Sequence, residues 1–116
     1  MTQPVRFEYT ETFENSVDNA IAHKSQFTSE LEVVERIENL VDHFEDTVEE
    51  NPEIHPLCQD LVELGVTSVR HAVKDGFRII YEVNNIDGEF VILVSLFLDQ
   101  RQSIQKQLID YCLIYK

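Results

Sequence analysis

Three residues in the second half of this 116-residue chain have side chains suited to chemistry: His71, Arg78 and Arg101. A histidine changes charge near neutral pH and can pass a proton either way. Two guanidiniums beside it could steady negative charge building on a phosphorus centre. Attack of a ribose 2′-OH on its neighbouring phosphate needs that combination of a base, an acid and a cation. Each residue also has a structural reading. Arg78 can pair with Glu82 on its own strand, His71 can be an ordinary strand histidine, and Arg101 can fix the entrance to a helix. Tyr81 reads as a core aromatic with a satisfied hydroxyl. His55 and Cys58 have an H-x-x-C spacing, but two ligands without partners do not make a metal site, so no metal or other cofactor is expected.

The segment that must position these residues is Val66–Gln102, VTSVRHAVKDGFRIIYEVNNIDGEFVILVSLFLDQRQ. Val66–Val73 alternates, and Asp75-Gly76 is a strong signal for a two-residue hairpin turn. Phe77–Val83 is the return strand. That turn pairs Lys74 with Phe77, Val73 with Arg78 and His71 with Ile80. One face of the hairpin then carries Ser68, Arg70, Ala72, Lys74, Phe77, Ile79, Tyr81 and Val83 and should meet the helices. The other carries Val69, His71, Val73, Arg78, Ile80 and Glu82 and should be the more open face. A register slip of one residue would exchange the faces of the slipped strand. Residues 84–88 read as the next turn. Glu89–Leu98 is nearly all apolar, as expected of a central strand buried on both sides.

Upstream, Val5–Tyr9 alternates as a half-buried strand. Thr10 offers an N-cap to a helix carrying Phe13, Val17, Ala20 and Ile21. Ser29-Glu30-Leu31-Glu32 has the form of a capping box. It opens a long helix with an apolar stripe at Leu31, Val34, Ile37, Val41, Phe44 and Val48, which Asn51-Pro52 stops. Downstream, Ile104, Leu108, Tyr111, Cys112 and Tyr115 share one face of a C-terminal helix.

Net charge is −13, and it is unevenly distributed. Residues 1–63 hold 16 acidic and 3 basic residues, whereas residues 64–116 hold 6 of each. The acidic run reads as a solvated helix face, which disfavours long-range attraction to nucleic acid. Two cysteines 54 residues apart form no disulfide framework, as expected of reduced thiols in a cytoplasmic protein. The start has no signal-peptide pattern, and no segment approaches a membrane span.

The predicted order is β-α-α-β-β-β-α. It gives one α+β domain over residues 1–116, with a helical hairpin packed on one face of a mainly antiparallel four-stranded sheet and a helix at the C-terminus. This order, with Gly76-Phe77-Arg78…Tyr81 in the hairpin and Asp99-Gln100-Arg101-Gln102 at its exit, resembles the RelE/ParE superfamily of toxins from bacterial type II toxin–antitoxin pairs, the plasmid-stabilisation type. The resemblance implies a growth-inhibiting protein neutralised by a cognate antitoxin. Arg78 resembles the superfamily's hairpin arginine, Arg101 its arginine after the last strand, and His71 falls near a lysine of the ribonuclease members. Those members cut mRNA on the ribosome. Here, however, Val69 stands where a second lysine is expected, and no Tyr or His follows Arg101 in the next turn. The resemblance therefore points to a ParE-like protein that binds a target such as DNA gyrase. A ribosome-dependent endoribonuclease using His71, Arg78 and Arg101 is the alternative. A third reading is a non-toxic interaction module with the same fold, including one that pairs with a second copy of itself.

Overall fold

The computed structural model describes residues 4–99, apart from the side chain of Asp60. The predicted C-terminal helix and Arg101 lie outside the described residues. Within them the order is β1 (Val5–Tyr9), α1 (Glu11–Lys24), α2 (Glu30–Glu50), α3 (Gln59–Val62), β2 (Val69–Lys74), β3 (Phe77–Ile86) and β4 (Glu89–Asp99). The fold is α+β, with two helices packed on a four-stranded sheet of order β1-β4-β3-β2.

The sheet is mixed: the mainly antiparallel character expected holds for two of its three pairings and fails at β1. β2 and β3, and β3 and β4, pair antiparallel, but β1 runs parallel to β4 from Val5↔Phe90 to Tyr9↔Val94. The reason is topological. The helical hairpin returns the chain to the far side of the sheet, and the meander brings β4 back beside β1. Nothing within β1 itself encodes that direction.

Both helices begin where their caps predict. Thr10 Oγ accepts the Phe13 N–H, and Ser29 Oγ accepts the Glu32 N–H. The Glu32 carboxylate takes the hydroxyl of Thr28. The buried stripe of α2 is Val33, Ile37, Leu40, Phe44 and Val48, rotated from the expected one, and Leu31 is exposed. Both stripes obey the helical period. Apolar residues at 31, 33, 34, 37, 40, 41, 44 and 48 cover a broad arc, and the sheet selects its centre. Val41 packs half-buried at the flank.

Two tight turns set the meander. Asp75 and Gly76 have φ of 53° and 83°, and Asp87 and Gly88 have 52° and 77°. Positive φ at both central residues matches the right-handed twist of the flanking strands. The second turn is therefore only Asp87-Gly88, and β3 extends through Asn84 and Asn85 to Ile86, which pairs with Glu89.

The main core lies between the helices and one sheet face. It joins Phe13, the α2 stripe, Ala72, Phe77, Ile79, Tyr81, Ile92, Val94 and Phe97. A bulge sets Ile80 opposite Leu96 and Tyr81 opposite Val94, leaving Ser95 unpaired. It also shifts the alternation of β4. Ile92 and Val94 face the helices before the bulge and Phe97 does after it, so Leu96 and Leu98 turn to the second face.

Candidate functional site

The hairpin register agrees with the sequence reading. Lys74 pairs with Phe77, Val73 with Arg78 and His71 with Ile80. His71 and Arg78 therefore share a face, one rung apart on the diagonal, a relation that sets neighbours about 7–8 Å apart, within reach of long side chains. Arg101, the third candidate, lies outside the described residues, so the structure brings together two of the three.

The face that carries His71 and Arg78 is not the open surface expected. Val69, Ile80, Leu96 and Leu98 are buried there in a second cluster with Cys58 and Leu61. The linker between α2 and β2 accounts for this closure. Cys58 N–H donates to the Val69 carbonyl at 2.8 Å, and the His71 N–H donates to the Pro56 carbonyl at 3.1 Å. Leu57 forms a bridge to Arg70. Residues 56–58 thus act as a short strap along the outer edge of β2, and α3 lays Leu61 onto the second face. His71 and Arg78 are each half-buried beside this cluster.

The strap is tied down by residues that the sequence reading treated as bystanders. Arg70 donates to the His55 carbonyl at 2.8 Å and pairs with the Glu53 carboxylate at 3.1 Å. Tyr81, fully buried, donates its hydroxyl to the Pro52 carbonyl at 3.2 Å. Burial pushes its hydroxyl up to about 12, and the nearby Arg70 only partly opposes that rise. A phenol held in this way is a structural tie, as its sequence context implied. His55 lies against the rings of Phe44 and Tyr81, with its Nε2 3.0 Å from the Thr47 hydroxyl. Burial lowers its pKa, and the charges of His43 and His71 lower it further. Cys58 is fully buried. Among the described residues, no group of three or more His, Cys, Asp or Glu side chains is arranged to hold a metal ion.

Arg70 carried no signal in the sequence that separated it from other strand cations. Its role depends on a linker whose path the sequence does not specify. It also lines an open cavity of about 340 Å³ with Glu53, Leu57, Ser68, Asn85 and Phe90.

At the other end of the sheet, Phe77 is fully buried beneath two cations. Arg36 Cζ lies 5.1 Å and Lys24 Nζ 5.8 Å from its ring centroid. Lys24 also pairs with the nearly buried Asp99 at 2.5 Å, and Arg36 donates to the Asp75 carbonyl at 2.8 Å. These contacts fasten the helical hairpin to the turn that sets the β2–β3 register.

The outer face of α2 presents Glu35, Glu38, Asp42, Asp46 and Glu49, all exposed to solvent. Tyr9 hydrogen-bonds the Glu45 carboxylate on the flank of that face. Burial, this bond and the charges of Glu45 and Asp42 raise its pKa.

No helix among the described residues is long and apolar enough to cross a membrane. Searches for relatives return nothing that identifies the chain: no family model matches it, and neither does any curated protein.

Proposed function

We propose that this chain is a growth-inhibiting toxin of the RelE/ParE kind that acts by binding a protein target such as DNA gyrase, and that a cognate antitoxin neutralises it in the cytoplasm. The order of strands and helices from Val5 to Asp99, with Gly76-Phe77-Arg78…Tyr81 in the hairpin, supports the superfamily reading. One observation favours binding over cleavage: Val69, Ile80, Leu96 and Leu98 form an apolar cluster with Cys58 and Leu61 on the face that would have to present catalytic groups. An RNA strand needs an open, cationic groove there to reach a base and an acid. The strong negative charge of the chain also opposes approach to a ribosome and suits a protein target.

Inducible expression in a bacterium lacking the antitoxin tests this reading. Growth arrest with induction of the DNA-damage response, and inhibition of gyrase supercoiling by the purified protein, are the expected results. Codon-dependent cuts in cellular mRNA that vanish in Arg78→Ala would instead establish the endoribonuclease. Normal growth with a stable, soluble chain would leave only the interaction module.

A further inference from the structure

The two edges of the sheet are finished differently. The outer edge of β2 is occupied by the strap, through the bonds of Cys58 with Val69 and His71 with Pro56. β1 is the other edge, and among the described residues its outer side carries no strand. The bonds on its inner side fix which groups point out. The Pro4 carbonyl accepts from Phe90 N–H at 2.9 Å, and the Thr10 N–H donates to the Val94 carbonyl at 3.1 Å. Even-numbered positions therefore face β4. Val5, Phe7 and Tyr9 direct their N–H and C=O groups outward.

The side chains of β1 suit only one way of filling that edge. Arg6 and Glu8 are exposed on the same face, two residues apart and opposite in charge, and they pair with each other at 2.7 Å. We propose that β1 joins β1 of a second copy antiparallel, about a two-fold axis at Phe7, so that the two sheets become one. In this register Phe7 exchanges backbone bonds with Phe7 of the second copy, and Val5 does so with Tyr9. Arg6 then stands opposite Glu8 of the second copy, and Glu8 opposite its Arg6. A shift by two residues in either direction sets Arg6 against Arg6 or Glu8 against Glu8. A parallel pairing in register does both. Charges on an edge strand commonly block strand addition. Here their alternation makes the strand complementary to itself in a single register, as an isologous interface requires.

Sedimentation velocity of the full chain at physiological salt is the test, with circular dichroism to establish that each variant is folded. The wild-type protein should sediment as a dimer at micromolar concentration. Arg6→Glu should sediment as a monomer, because it sets like charges against each other at both symmetric positions. The double reversal R6E/E8R should restore the dimer. A monomeric wild-type chain, a dimeric R6E, or a folded R6E/E8R that stays monomeric would each overturn the proposal. A second measurement serves if a reversal variant fails to fold. An equal mixture of R6C and E8C should oxidise to a reducible cross-linked dimer faster than either variant alone, and equal rates in all three samples would refute the register.

Discussion

The hydroxyl of Ser16 accepts the Phe97 N–H at 2.8 Å and donates to the Phe13 carbonyl at 2.7 Å. It stands where the first helix takes over from the first strand. β1 ends at Tyr9 opposite Val94, so the stretch of β4 beyond the bulge has outlived its strand neighbour. A serine on the buried side of α1 supplies the missing acceptor. Ser16→Ala should leave the buried Phe97 N–H unsatisfied and cost about 1–3 kcal/mol. Urea unfolding would measure this as a lower midpoint at an unchanged slope.

The Asp75-Gly76 turn offers a cleaner test of backbone conformation. Apart from its two chain neighbours, nothing lies within 4 Å of where a Cβ on Gly76 would sit, yet its φ is 83°. Gly76→Ala should therefore lose about 1–2 kcal/mol from conformation alone, without a clash. A crystal structure of the variant with β2 and β3 still paired Lys74↔Phe77 would show that the register survives the substitution.

Tyr81→Phe separates anchoring from chemistry. Removing the hydroxyl strands the buried Pro52 carbonyl, and unfolding free energy should fall by about 1–2 kcal/mol. Under the proposed toxin function, growth arrest on induction should persist. Its loss at normal protein levels would mean that the phenol contacts the target.

His55 links stability to pH. Its pKa in the folded chain is lowered by burial and then by His43 and His71, whereas the unfolded chain keeps the ordinary value of about 6.5. Below that value the unfolded state takes up a proton that the folded state refuses. The stability His55 contributes is thus fully present above about pH 6.5 and is lost as pH falls through the folded value. The urea midpoint should drop between about pH 7.5 and 5.5, and His55→Gln should show a smaller drop. Parallel pH dependence in the two proteins would remove His55 from the account.

Phe44 tests the main core. It is fully buried, and its ring meets Phe7, Tyr81 and His55. Phe44→Ala should cost about 3–5 kcal/mol, read as a large fall in melting temperature.

The features legible in the sequence were the local ones. Asp75-Gly76 specified its own turn type, and that turn fixed which residues of β2 and β3 share a face. Thr10 and Ser29 announced the helix starts through their own hydroxyls. The apolar run of β4 declared its burial on both faces. The direction of β1, the rotation of the α2 stripe and the path of residues 51–58 depend on what packs against them, and no local pattern carries that information. The candidate site suffered most for this reason. His71 and Arg78 were placed on the right face, but the linker that closes that face is held by Arg70, Tyr81 and backbone carbonyls whose partners are remote in sequence. Ser16 was invisible for the same reason, since its role belongs to an amide 81 residues away.

The pairing of β1 with β4 also sets a clock on biosynthesis. Thr10 must wait for Val94, 84 residues later, before the sheet can close around its central strand. At about 5–20 residues per second, the first strand spends roughly 4–17 s outside the ribosome without its neighbour. During that interval the acidic helical hairpin can form, but neither core can be completed. A nascent chain of this protein therefore acquires its folded surface only after β4 has been made, which confines any activity of that surface to chains translated beyond Asp99.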